Sequence, residues 1–287
     1  VWVGSCELKF VKIRAAIMLL KSIIDSHTHS NFSSDSTMDV RVGVVMAERL
    51  GLGGIAFTDH LEIAHITPEN NSTFDFAERA KILYLLQQEF EGRVKIFDGL
   101  EIGFMSEIVH DMEKIVSGHD FDFVICSTHY LDKLALYEKQ VYEGKDKKQF
   151  YEKYLRTIYE SIDTFHNFDV VGHIGYICRY VTYKDVSLNY ADYGSLLDEI
   201  FKKLIAQNKG IEVNTAGYYY NLGFPHPNID TLKRYRDLGG EIITIGSDSH
   251  HVGQLALKFD VVLAMLSSIG FKYITYFEKR KPVFVKI

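Results

Sequence analysis

The chain has 287 residues, of which 47% are hydrophobic and 24% charged, the balance of an ordinary globular protein rather than a disordered or repetitive one. Its formal net charge of −6 lacks the basic footprint of a dedicated nucleic-acid binder, and the short run Lys279-Arg280-Lys281 reads as a solvated tail. Cys6, Cys126 and Cys178 cannot all pair and form no zinc knuckle, which suits a reducing cytoplasm; no apolar run approaches a membrane span.

Short apolar runs alternate with longer amphipathic stretches, the signature of βα units around a parallel sheet. Val1 to Ala16 mixes Lys9, Lys12 and Arg14 with apolar residues and fits a secretory signal poorly. Residues 1–17 are read as an extension outside the fold, with Met18 leading into the first strand and 18–287 forming one barrel domain. Strands are expected at Ser22–His29, Ile55–Thr58, Val94–Leu100, Phe123–Ser127, Val170–His173, Gly210–Thr215 and Glu241–Gly246. A helix over Val40–Leu50 is stopped by Gly51, Gly53 and Gly54, which supply backbone freedom. Further helices are expected over Phe76–Glu91, Ser106–Val116 (with Ser106 a candidate cap), Lys147–Phe165, Asp192–Asn208, Ile229–Leu238 and Gln254–Ser268. The tail Phe271–Ile287 is expected either to add a strand or to wrap the barrel base. Seven strands with interleaved helices make an α/β, distorted TIM-like (βα)7 barrel, whose active site belongs at the C-terminal strand ends.

Six of the twelve histidines fall at those ends. Asp25-Ser26-His27-Thr28-His29 closes the first run, and strand alternation predicts that Asp25, His27 and His29 share a face. Thr58-Asp59-His60, Gly99-Leu100-Glu101, Ser127-Thr128-His129, Val171-Gly172-His173 and Ser247-Asp248-Ser249-His250 repeat the device. A single strand histidine is usually a hydrogen-bonded core residue, but this set, with Glu101 and Asp248, reads as a metal centre. Nitrogen and oxygen donors without thiolate suit Zn, Mn or Fe. His65, His110, His119, His166 and His251 lack that placement and read as surface or packing residues; His226, between Pro225 and Pro227, reads as part of a rigid loop.

In order and spacing these motifs resemble the PHP (polymerase and histidinol phosphatase) superfamily over about Ser22 to Ser268. Within it, Asp169-Val170-Val171-Gly172-His173-Ile174-Gly175 up to Arg179-Tyr180, and Glu212-Val213-Asn214-Thr215-Ala216-Gly217, are similar to the stand-alone histidinol phosphatases. Many relatives carry an acidic residue where this chain has Gly175, so that carboxylate is missing here. The resemblance implies a centre of two to three divalent transition metal ions. The first would take His27, His29, Glu101 and Asp248. The second would share Glu101 as a bridge and add His129 and His173. The third would take His60, His250 and Asp35.

The implied activity is hydrolysis of L-histidinol phosphate, a small phosphomonoester, by attack of a metal-bridging hydroxide in line on phosphorus. Glu101, Asp248 and His250 are the catalytic expectations. Asp25 is expected either to orient a ligating histidine or to support the first βα loop. Arg179 is the expected phosphate clamp, because a guanidinium presents paired donors to phosphoryl oxygens. Arg156 and Lys148 are weaker candidates for a second contact, and Tyr218, with Tyr219 and Tyr220, for packing on a substrate imidazole. Two alternatives stay open: a phosphoesterase for another small ester, nucleotide or nucleic-acid 3′ end, and a barrel that keeps its metals without turnover.

Overall fold

The computed structural model describes residues 21–63 and 73–287. The expected extension over 1–17, and His65, lie outside the described residues. Twelve strands are labelled here in chain order: β1 (Ile24–Thr28), β2 (Gly54–Phe57), β3 (His60–Leu61), β4 (Lys95–Gly103), β5 (Phe123–Ser127), β6 (Tyr130–Leu131), β7 (Leu134–Ala135), β8 (Val170–Val171), β9 (Gly210–Asn214), β10 (Ile243–Gly246), β11 (Tyr273–Glu278) and β12 (Lys281–Lys286). Seven of them follow one another as β1-β2-β4-β5-β8-β9-β10, every pair parallel. A parallel bridge from Thr28 to Ser249 brings the first strand back to the last, so the sheet closes into the nearly complete (βα)7 barrel that the alternating pattern predicts.

The helices are α1 (Val40–Leu50), α2 (Phe76–Glu89), α3 (Val109–Ser117), α4 (Lys147–Thr164), α5 (Tyr190–Ala206), the short α6 (Ala216–Tyr219), α7 (Ile229–Asp237) and α8 (Phe259–Ser268). Side-chain caps fix four of their starts: Asp39, Asp75, Asp146 and Asn228 accept from backbone N–H groups of the first turn, satisfying donors that a helix leaves open there. Ser106 makes no such bond; a 3-10 turn over Ser106–Ile108 precedes α3 instead. The last helix is shorter than its apolar pattern predicts, because Lys258 takes a left-handed conformation with φ of 61° and interrupts the segment before Phe259. The apolar row Tyr151, Tyr154, Leu155, Ile158 and Ile162 turns one side of α4 into the core.

The tail wraps the barrel base. β11 and β12 pair as an antiparallel hairpin that lays Tyr276 against Ile24, Ala56 and Phe97, and Phe277 against Phe123, Ile125 and Val170. Of these partners Ile24, Phe123 and Val170 begin their strands, at the end opposite the histidines. Arg280 fastens the turn of the hairpin by donating to Asp169 at 2.7 Å. No helix among the described residues is long and apolar enough to cross a membrane.

Candidate metal centre

Backbone register brings the donors together. β3 pairs with β4 so that His60 stands opposite Glu101, and β5 places Ile125 opposite Glu101 with Ser127 two residues beyond. β10 ends at Gly246; Asp248 then adopts φ of 55°, and its N–H bonds to the His27 carbonyl at 2.8 Å. Gly246 is needed for space, since a Cβ there would meet Glu212 Oε1 and the His27 Cβ, each at 2.4 Å.

Glu101 is fully buried at the middle of five imidazoles. Its Oε2 lies 3.3 Å from His27 Nε2, 3.5 Å from His29 Nε2 and 2.8 Å from His60 Nδ1. Its Oε1 lies 3.3 Å from His129 Nε2, 2.8 Å from His173 Nε2 and 2.6 Å from Ser127 Oγ. The two oxygens therefore face two different sets of nitrogens. Asp248 Oδ1 faces the first set, 3.6 Å from His27 Nε2 and 3.2 Å from His29 Nε2. At the exposed side, Asp35 Oδ2 lies 3.5 Å from His60 Nε2 and 3.2 Å from His250 Nε2. All nine residues expected as ligands thus converge on one rim.

These donors fit metal ions. The Nε2 atoms of His27 and His29 are 3.1 Å apart, and those of His129 and His173 3.3 Å; two nitrogens bound to one zinc ion at a tetrahedral angle lie roughly 3.3 Å apart. Glu101 Oε2 and His60 Nδ1 are buried and 2.8 Å apart, yet among the described residues neither makes a well-aligned hydrogen bond. Donor atoms of His27, His29 and Glu101, and separately of Glu101, His129 and His173, all lie within 4.8 Å of one another. His29 also groups with His60 and His250, linking the first set to the third.

Burial works against charge on these imidazoles, but the carboxylates override it in places. Against that burial, Glu212, Glu101 and Asp248 push His27 well above its ordinary range, and Glu62 with Glu101 pushes His129 up to about 9. His29 moves the other way, to about 3, through burial and its neighbours His60 and His250. Burial opposes ionisation of Glu101 and Asp248, yet both fall well below the usual carboxylate range, Glu101 through His27, His129 and His60, and Asp248 through Arg179 and His27.

The supporting shell differs from expectation at one point. Asp25 accepts from Ser247 N, Ser247 Oγ and Ala256 N at 2.6–2.9 Å, so it braces the segment that follows β10 rather than a histidine or the first loop. The cause is a register irregularity between Asp25 and Thr28, which breaks the alternation that would have kept Asp25 with His27. Glu212 takes the orienting position, 2.6 Å from His27 Nδ1, and Glu62 does the same for His129 Nδ1 at 2.6 Å. A carboxylate on the far nitrogen fixes a ligating imidazole's tautomer and raises its basicity. The sequence assigned a role to neither, although Glu212 opens a segment similar to the histidinol phosphatases and Glu62 lies two residues after His60.

A cavity of about 370 Å³ opens over the donors, lined among others by Asp35, Glu62, Tyr137, Tyr176, Tyr180 and Tyr220. Arg179 lies in its wall. One arm donates to Asp248 Oδ2 at 2.8 Å and Asn214 Oδ1 at 3.1 Å, and the guanidinium rests over the Tyr176 and Tyr220 rings at 4.7 and 5.0 Å. Arg156 is exposed on the side of α4 away from its buried row, and Lys148 is exposed as well; neither lines the cavity. Tyr218 packs against the core, because α6 turns successive side chains in different directions, and Tyr220 is the ring that reaches the cavity. His226 is buried with its Nε2 unpartnered, beside Gly175 and Gly217, consistent with a loop-packing residue.

A family model described as PHP domain matches residues 25–216. The chain belongs to the PHP domain family. Relatives of this PHP protein include a "Probable histidinol-phosphatase" of Clostridium acetobutylicum, 32% identical over 259 residues that cover 90% of this chain and 98% of that protein. A histidinol-phosphatase of Lactococcus lactis is 29% identical over 266 residues, covering 90% of this chain and 95% of that one. The crystal structure of histidinol phosphate phosphatase from L. lactis subsp. lactis Il1403, complexed with zinc, L-histidinol and phosphate, superposes with a TM-score of 0.83 over 91% of this chain and 99% of the other.

Proposed function

We propose that this chain is a metal-dependent phosphomonoesterase that hydrolyses L-histidinol phosphate to L-histidinol and phosphate. The observation that carries the reading is the site itself: a metal-type donor set and a buried arginine meet in one small cavity. They do so in a fold shared along nearly its whole length with an enzyme whose structure holds zinc, L-histidinol and phosphate. A cavity of this size suits a small molecule.

His27, His29, Glu101 and Asp248 would hold a first divalent ion, Glu101, His129 and His173 a second, and His60, His250 and Asp35 a third, with Zn, Mn or Fe all suited to such donors. Bound there, the ions would supply Lewis acidity, making water a competent nucleophile near neutral pH and offsetting phosphoryl charge. Each oxygen of Glu101 faces its own set of nitrogens, the arrangement a bridging carboxylate requires. Arg179 is held by Asp248 and Asn214 through one guanidinium nitrogen, so its other nitrogens are free of those two contacts and can meet a phosphoryl group as charge-assisted donors. The Tyr176 and Tyr220 rings pack on that guanidinium at cation–π distance. Tyr137, Tyr180 and Tyr220 surround the opening, where they can pack on the substrate's imidazole and exclude water. We also propose that a catalytic contribution beyond ligation belongs to Glu101, Asp248 and His250.

A phosphate-release screen over phosphomonoesters and a diester, with manganese- and zinc-loaded protein, tests this reading. L-Histidinol phosphate is expected to give the highest kcat/KM, well above bis-nitrophenyl phosphate. A better turnover of the diester or of a nucleotide would overturn it.

A further inference from the structure

We propose that Arg79, a buried arginine outside the cavity, is a positioning residue that fixes the proton of His29 on Nδ1 through Asp59 and Ser33. The proposal rests on the reading of His29 as a metal ligand and adds how its bare nitrogen is turned toward the centre.

Arg79 projects from α2 and is completely buried. Its Nη1 donates to Asp59 Oδ2 at 2.9 Å, and its Nη2 donates to Asp98 Oδ1 and to the Gly99 carbonyl, each at 2.5 Å. Asp98 and Gly99 lie on β4, the strand that carries Glu101. The guanidinium therefore ties the Glu101 strand to Asp59 and occupies one carboxylate oxygen, so that Oδ1 is turned toward the first loop. There Oδ1 accepts from Ser30 N at 2.6 Å and from Ser33 Oγ at 2.9 Å.

The rest follows from counting protons. Among the described residues Ser33 Oγ has three partners: Asp59 Oδ1, the His60 backbone N–H at 3.0 Å and His29 Nδ1 at 3.1 Å. A carboxylate paired with arginine only accepts, and a backbone N–H only donates. The single hydroxyl proton of Ser33 is thus directed to Asp59, and both its lone pairs face His60 N–H and His29 Nδ1. A hydrogen bond at His29 then requires the imidazole to be the donor. With its proton on Nδ1, His29 presents an unprotonated Nε2 to the centre, 3.1 Å from His27 Nε2 and 3.2 Å from Asp248 Oδ1. The same hydroxyl anchors the backbone of His60, so one serine sets two donors of the rim.

Cobalt titration of the whole protein, read by its visible absorption, tests the relay. Ser33→Ala leaves Asp59 paired with Arg79 and removes the acceptor for His29 Nδ1 together with that for the His60 backbone N–H; Arg79→Lys keeps the charge and loses the fork. Each is expected to weaken cobalt binding about ten-fold, within the range for loss of an outer partner of a ligand, with altered absorption and unchanged far-UV circular dichroism. The double variant should be no weaker than Ser33→Ala alone, because both changes act through one imidazole. If Arg79→Lys is insoluble, Asp98→Asn takes its place in the cycle with the same coupled loss expected. Nitrogen-15 NMR of the zinc-loaded protein should find the His29 proton on Nδ1 and lose that signal's protection in Ser33→Ala. A proton on Nε2, additive losses, or cobalt binding weakened by His29→Ala but not by Ser33→Ala would overturn the relay. Cobalt binding indifferent to His29→Ala would instead remove His29 as a ligand, and the proposal with it.

Discussion

Glu212 Oε1 and His27 Nδ1 are 2.6 Å apart across the barrel, tying β9 to β1 in the fully buried floor of the site. The second oxygen of Glu212 accepts from the His173 backbone N–H at 2.8 Å, so one carboxylate steadies candidate ligands of both the first and the second ion. Glu212→Gln preserves shape but replaces an acceptor with an amide that can donate. Metal content and kcat/KM are expected to fall together, with metal affinity down about 10- to 100-fold. Elemental analysis alongside kinetics checks this; full metal content at full turnover would contradict the orienting role.

The histidines also set a pH dependence. In the metal-free protein burial would lower the pKa of His129, but Glu62 and Glu101 raise it to about 9. The imidazole is then protonated near neutrality, and a metal ion must displace that proton. Binding is expected to release protons at pH 7 and to tighten as pH rises toward about 9. Calorimetry in two buffers of different ionisation enthalpy measures the release. The sign for stability is opposite: the favourable contribution of charged His129 to the metal-free fold is complete below its unfolded pKa of about 6.5 and is lost as pH passes through about 9.

Arg179 serves two masters, so its variants must be chosen with care. Removing the side chain would strip Asp248 of its partner and disturb the donor set. Arg179→Lys keeps a charge beside Asp248 but cannot present a planar fork. Metal content is expected to persist while kcat/KM for the monoester falls about ten-fold or more, the scale of one charge-assisted hydrogen bond of roughly 1.5–3 kcal/mol. A kinetically silent Arg179→Lys would remove the clamp.

At the far end of the barrel, Tyr276 is buried against Ile24, Ala56 and Phe97 and accepts from Lys95 Nζ at 3.0 Å. Tyr276→Ala is expected to cost about 3 kcal/mol, as for other buried aromatic truncations. The loss should appear in thermal or denaturant unfolding of the metal-loaded protein, with kcat/KM little changed. A variant equally stable but catalytically poor would mean that the base communicates with the site.

The barrel and its donor rim were legible because each strand announces itself twice, by its apolar run and by the polar residue that ends it. His27, His60, Glu101, His129, His173 and Asp248 carry that signature directly. His250 showed itself through the same strand-end run as Asp248, whereas Asp35 sits in the loop after the first strand, where only the resemblance pointed to it. The orienting carboxylates were illegible for a different reason. Glu62 and Glu212 act across the barrel on residues 67 and 185 positions away, and no local pattern records such a pairing. Asp25 misled because a strand irregularity of one residue cancels alternation, and neither composition nor spacing announces it. Tyr218 and Arg156 were chosen by residue type, while their orientation depends on how a short helix and a long one pack.

The hairpin β11–β12 has a consequence for traffic. By stoppering the barrel at Tyr276 and Phe277 it makes the scaffold a vessel with its working mouth at the histidine end, under Tyr137, Tyr180 and Tyr220. Ester entering, alcohol leaving and phosphate leaving then share one doorway. With phosphate held at Arg179 as proposed, each incoming ester would have to wait until that phosphate had left through the same mouth.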